Sequence, residues 1–345
     1  MNFSVTRKLA RGDKVAILSP SFAAPGKWPE VYNLGLSRLG KEFGLIPVEY
    51  PTTTQIGASG ADRARDLIAA FSAPEIKGII ATLGGNDQVT WIKNLPSEPF
   101  RNNPKPFFGI SDNSHLINFL WLQGIPSYYG GTLFMDFAMH GKMNPFTSRF
   151  LKHAMFDCGR FELEASSTFN DIDLDWNDST LLSFSRDYEP SEGWQWDGNK
   201  SAAGRSWGGC VESIDEILRH NIQIPSLKDF ESVVLFLETS EEMPSPEYVF
   251  RVFRGLGERG ILERVQALLV GRPKAWDFQT MRSREDKATY RATQRETILS
   301  VVRKYNKTIP IIQNLDFGHT DPNVCLPVRS IVTIDTPVKK IFADY

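Results

Sequence analysis

Three short apolar runs in the first third of the chain constrain the fold more than any other feature. Lys14–Leu18 (KVAIL) stops at Ser19-Pro20-Ser21, Gly78–Leu83 (GIIATL) at Gly84-Gly85-Asn86, and Pro106–Ile110 (PFFGI) at Ser111-Asp112. The stretches around them are helical. Ala64, Leu67, Ile68 and Phe71 fall at i, i+3, i+4 and i+7 with charges opposite. Residues 30–43 place Val31, Leu34, Leu39 and Phe43 in a looser helical pattern, and Asn113–Leu122 reads as a helix entered directly from Ser111. Buried strands alternating with amphipathic helices predict a parallel sheet with right-handed crossovers. Ligands of such sheets bind at the carboxyl ends of the strands, where all three turns fall.

At 345 residues the chain exceeds what one core organises, so a second domain is expected. Residues 166–208 change character. They are rich in Asp, Ser, Asn, Gly and Trp (FNDIDLDWNDST, EGWQWDGNKSAAGRSWGG) and show little periodicity. Beyond them lie a helix near Val211–His220, a strand at Val233–Glu238 and a helix opened by Ser245-Pro246, an N-cap serine followed by proline. Val265–Val270 and Ile309–Ile312 read as further strands. The expected fold is α/β: an N-terminal Rossmann-like parallel-sheet domain over 1–165, a crossover and Trp-containing substrate loop over 166–208, and a C-terminal mixed α/β, barrel-like domain over 209–345.

Composition excludes several classes. A net charge of −2 without basic runs gives no reason to expect nucleic acid or an anionic membrane surface. No stretch approaches the roughly 18 apolar residues of a membrane span. The stretch MNFSVTRKLARGDKVAIL lacks the apolar core and cleavage site of a secretory signal, so a cytoplasmic protein is expected. Cys158, Cys210 and Cys325 form neither a disulfide framework nor a CxxC metal pair. No GxGxxG follows the first strand, which counts against dinucleotide binding.

Chemistry concentrates at four strand ends. A serine between a strand and a helix, as Ser111 is, projects its hydroxyl from the sheet edge, and the helix N-terminus offers amides to a developing oxyanion. The Asp112 N–H would be one donor, as in a nucleophile elbow, although G-I-S-D-N is not G-x-S-x-G. Ser111 would serve equally as a plain N-cap. Gly84-Gly85-Asn86 lets backbone approach a ligand, with the Gly85 amide as second donor, or is simply a turn. His319 lies in a glycine-flanked loop (DFGHTD) after a strand and has the near-neutral pKa of a general base. His115, His140, His153 and His220 read as structural. Glu238 ends the apolar run VVLFLE, where a buried carboxylate needs a partner such as a histidine N–H. Glu241 and Glu242, in the loop that follows, read as a solvated acidic surface.

In chain order, the stretches GDKVAILSPS, ADRARDLIAAF with IKGIIATLGGND, FFGISDNSHL, GRSWGGCVESIDEIL, VLFLETSEEMPSP and FGHTDPNVCLP resemble the LD-carboxypeptidase family of serine peptidases, in particular its microcin C immunity branch. The resemblance implies a Ser–Glu–His triad at Ser111, Glu238 and His319, oxyanion donors at Gly85 and Asp112, no metal or other cofactor, and a homodimer. Two departures from the cell-wall enzymes favour the immunity branch: GGNDQ where those carry a GGYG-like sequence, and the inserted Trp-rich segment. Enzymes of that branch cleave a peptidyl or aminoacyl group from a nucleotide-like moiety, and an aromatic residue of the long loop stacks on the nucleobase. Trp194 and Trp196 are the candidates here, with Gly84 and Asn86 as further substrate contacts; the tryptophans would serve equally as core residues. The family often has Asn at the position of Cys210, which has no histidine to activate it. The expected activity is amide hydrolysis through an acyl-enzyme, on an acyl-nucleotide such as processed microcin C. The alternatives are release of D-alanine from a murein tetrapeptide and a non-catalytic binding homologue.

Overall fold

The computed structural model describes residues 7–345; the first six residues of the N-terminal stretch lie outside the described residues. The three apolar runs become the central strands of a five-stranded parallel array, in spatial order Ser127–Tyr129, Phe107–Gly109, Ile76–Ala81, Lys14–Leu18 and Ile46–Glu49. The three central strands are buried almost throughout, as strands covered on both faces must be. A sixth strand, Leu326–Val328, returns from near the C-terminus and pairs antiparallel with Ser127–Tyr129. Helices begin where the capping chemistry places them. Ser59 accepts from the Asp62 amide to open Gly60–Ser72, and Ser245 accepts from the Tyr248 amide to open Pro246–Glu258.

The second sheet has eight strands, in the order Arg160–Leu163, Lys340–Asp344, Ile331–Asp335, Ala202–Cys210, Val233–Glu238, Ala267–Gly271, Ile311–Leu315 and Gln195–Asp197. Its four central strands are parallel, and the flanking pairs are antiparallel. The sheet is not the barrel expected from the sequence: Arg160–Leu163 and Gln195–Asp197 are edges that do not meet, so it stays open. Strand Ala202–Cys210 runs across position 208, and Arg160–Leu163 precedes position 165 yet belongs to this sheet. No described helix is long and apolar enough to cross a membrane.

One apolar cluster spans both halves, from Leu67, Ile79 and Leu116 to Leu235, Leu269 and Ile312. The halves approach closely where the helix Ser114–Gln123 lies on strand Ala202–Cys210. Asn118 Nδ2 donates to the Gly208 carbonyl (3.1 Å), and the Cys210 amide donates to Ser114 Oγ (2.9 Å). A Cβ on Gly209 would sit 2.3 Å from Ser114 Oγ. Only glycine allows this approach, and it brings the helix behind Ser111 against the strand beside Glu238.

Candidate active site

Ser111 sits at the bend between strand Phe107–Gly109 and the helical turn that leads into Ser114–Gln123. Its φ of 62° lies in the left-handed region, which costs a non-glycine residue about 1–2 kcal/mol. Neighbouring hydrogen bonds hold the bend. Asn113 Nδ2 donates to the Leu83 and Ile110 carbonyls at 3.0 and 2.9 Å, and the Ser111 amide donates to the Tyr129 hydroxyl at 3.2 Å. Gly84 is the near neighbour across the strand ends, where a Cβ would lie 2.7 Å from Ser111 Cβ. Gly85, with φ 157°, has equally little room: a Cβ would fall 2.1 Å from Ser21 Oγ.

The Asp112 side chain fastens this loop. Its Oδ2 accepts from Ser21 Oγ and from the amides of Asp87 and Gln88 at 3.1 and 3.0 Å. Burial pushes its carboxyl pKa up; His115 and these donors pull it back only in part. On its other side Asp112 Oδ1 lies 3.6 Å from His115 Nε2, which is 3.0 Å from Glu216 Oε2. These three ligand-type atoms lie within 4.8 Å of one another. One imidazole thus stands between two carboxylates, and Asp112 is already committed to the loop.

Glu238, wholly buried at the end of its strand, accepts at Oε1 from the Tyr129 hydroxyl and at Oε2 faces His319 Nδ1 at 2.8 Å. A Cβ on Gly318 would come within 2.6 Å of that carboxylate, so glycine lets the His319 loop close on it. His319 Nε2 lies 3.0 Å from Glu241 Oε2. Glu241 is exposed, as expected, with its side chain 60% accessible, but it also pairs with the imidazole of His319. Burial alone would lower the His319 pKa, but Glu238 and Glu241 together raise it well above the ordinary histidine value. Glu241 itself is held at about 2, desolvation opposing and His319 prevailing. No hydrogen bond joins Ser111 Oγ to His319 among the described residues.

A cleft of about 520 Å³ opens over these groups, walled by Phe22, Trp28, Trp176 and Phe278 and floored by Gly84, Gly85, Ser111 and His319. A second cavity of about 430 Å³ adjoins it, and the two share Gly85, Asn86, Ser111, Glu241 and Glu242. Ser111 is thus at the junction of an aromatic lobe and an acidic one. The structure does not bring Trp194 and Trp196 to either. Trp194 Nε1 donates to Asp316 (2.9 Å), and Trp196 lies on an edge strand paired with Ile312, where both pack on the core. The long loop supplies Trp176 instead, in T-shaped contact with Trp28 (4.9 Å, 70°), whose Nε1 donates to Asn177. Arg186 pairs with buried Asp321, tying this loop to the His319 segment. Sequence reasoning missed Tyr129, Trp28, Trp176 and Glu212, the last of which binds the amide and hydroxyl of Ser240 and so anchors the loop carrying Glu241 and Glu242.

Residues 15–130 match the LD-carboxypeptidase N-terminal domain, and residues 203–334 match the C-terminal domain of the same family. The chain belongs to the LD-carboxypeptidase family. A Vibrio cholerae protein assigned as a carboxypeptidase is 27% identical over 334 residues, 95% of this chain and 94% of that one. The microcin C7 self-immunity protein MccF of Escherichia coli is 24% identical over 96% of this chain and 93% of its own. An MccF-like protein from Streptococcus pneumoniae, solved in complex with AMP, superposes with a TM-score of 0.85 at 27% identity, covering 97% of this chain and 99% of the other. The family supports a peptidase-type hydrolytic activity for this LD-carboxypeptidase homologue.

Proposed function

We propose that this protein is a serine hydrolase that releases an acyl or aminoacyl group from a nucleotide-like moiety through an acyl-enzyme. The observation that carries the reading is the position of Ser111 where the aromatic lobe meets the acidic lobe, beside an imidazole held by a buried carboxylate. Indole faces at Trp28 and Trp176 suit a nucleobase, and the MccF-like relative solved in complex with AMP supports a nucleotide-type ligand.

In this mechanism Ser111 Oγ attacks the acyl carbonyl and gives its proton to His319 Nε2. The amides of Gly85 and Asp112 stabilise the oxyanion, and Glu238 holds the imidazolium by Nδ1. His319 then protonates the leaving amine, and water deacylates the serine with the same base. Because Glu241 occupies Nε2, this route requires Glu241 to swing aside, which its exposed position on a loop permits. The paired state is a resting, protonated form; displacement of Glu241 by substrate removes one carboxylate and lowers the pKa of the base toward neutrality.

Mass spectrometry of products from an aminoacyl-sulfamoyl adenosine and a murein tetrapeptide tests the reading. Cleavage of the adenosine compound is expected. Release of D-alanine alone would transfer the same machinery to murein peptides, and cleavage of neither would end the hydrolase reading for both substrates.

A further inference from the structure

The acidic lobe meets the aromatic lobe at Ser111, and Trp28 and Trp176 line only the aromatic one. The acidic wall carries Asp112, Glu212, Asp215, Glu216, Glu241 and Glu242 against one cation, Arg219, and Asp112 is held by Ser21 and the Asp87 and Gln88 amides. Most of these are engaged: Asp215 by Arg219 and the Tyr248 hydroxyl, Glu212 by Ser240, Glu216 by His115 and Glu241 by His319. Glu242 differs. It is exposed, borders both lobes beside Ser111, and its carboxylate has no ion pair or hydrogen bond among the described residues. Its position is also fixed, because its amide donates to Ser240 Oγ (3.2 Å), itself bound to Glu212.

We propose that this lobe is the acyl subsite and selects acyl groups whose side chain is cationic, of lysyl or arginyl type, with Glu242 as the specificity-determining residue. The proposal rests on the acyl-nucleotide reading above. With its nucleoside against the indoles of the first cavity, a bond at Ser111 has the acidic lobe as the adjoining cavity for its acyl chain. An ammonium or guanidinium there meets a carboxylate without a competing cation, whereas an acidic side chain meets only like charge. A neutral side chain of equal length gains neither.

The test compares kcat/KM for lysyl-, norleucyl- and glutamyl-sulfamoyl adenosine, which carry the same α-ammonium and differ in side-chain charge. Wild type is expected to favour lysyl over norleucyl by roughly tenfold, the size of one charge-assisted hydrogen bond, and to place glutamyl last. Glu242→Gln should bring the lysyl-to-norleucyl ratio toward unity, and Glu242→Lys should raise glutamyl above lysyl. Equal wild-type rates for the three, or ratios that neither variant moves, would overturn the proposal while leaving the nucleotide reading standing. If wild type cleaves none of the three, the nucleotide reading itself fails and takes the subsite with it.

Discussion

The imidazole Nε2 of His319 lies 3.0 Å from the carboxylate of Glu241, while the other ring nitrogen, Nδ1, faces Glu238. A histidine between two carboxylates is charged at neutral pH, and a charged histidine cannot accept the proton of a serine. In the proposed mechanism His319 must therefore lose either its proton or its second carboxylate before the chemistry begins.

This fixes the sign of a pH effect. Activity should rise with pH as His319 becomes neutral. Glu241→Gln removes one stabilising charge, lowers the His319 pKa and should move the acidic limb of the kcat/KM profile to lower pH by about one unit, worth roughly 1.4 kcal/mol. A limb that stays in place would show that Glu241 does not govern the base.

Tyr129→Phe should act in the opposite direction. Its hydroxyl donates to Glu238 and accepts from the Ser111 amide, so its loss concentrates charge on Glu238 and stabilises the imidazolium. The acidic limb should move to higher pH, and a buried carboxylate oxygen left without its donor should cost about 1–3 kcal/mol in stability. Thermal melts and the pH profile together check this, because a merely structural tyrosine would move the melt alone.

How much of this was legible in the sequence differs by element. Ser111, Glu238 and His319 stand at strand ends, where an apolar run stops at a polar residue, and that local signal survives in one dimension. Tyr129 gave no such signal. It sits within the short strand Ser127–Tyr129, and only the strand's pairing in space brings its hydroxyl between the two halves. The helix Arg284–Tyr305 was hidden for another reason: its buried face begins with Lys287, Arg291 and Gln294, the first two paired with buried Asp171, and turns apolar only at Ile298, Val301 and Val302. The return of Leu326–Val328 to the first sheet is a long-range pairing without local pattern. The tryptophans failed by proximity in sequence. Trp194 and Trp196 share a segment with the substrate loop, but edge-strand pairing turns them to the core while Trp176 reaches the cleft.

The nucleotide lobe gives a binding prediction. In a Ser111→Ala background, Trp176→Ala should weaken binding of an aminoacyl-sulfamoyl adenosine by about 5- to 150-fold, the range for loss of one base-stacking partner of about 1–3 kcal/mol. Trp194→Ala should leave that Kd unchanged while lowering the melting temperature, since its indole donates to Asp316 and lines neither lobe. Calorimetric titration separates the two.

Gly85→Ala probes the oxyanion site. The added methyl would meet Ser21 Oγ at 2.1 Å, in a φ that alanine resists, and would shift the backbone that carries the proposed donor amide. Turnover should fall about 100- to 1000-fold, as for loss of one oxyanion donor. An unchanged circular dichroism spectrum would show that the fold persists, and near-normal kcat would remove Gly85 from the mechanism.

The most direct test of the central claim is turnover of an aminoacyl-sulfamoyl adenosine by wild type and by Ser111→Ala, followed by mass spectrometry of the trapped protein. The account expects loss of turnover by several orders of magnitude in the variant and, in wild type, an acyl adduct on the peptide carrying Ser111. Near-wild-type turnover by Ser111→Ala, or an adduct on another residue, would contradict it.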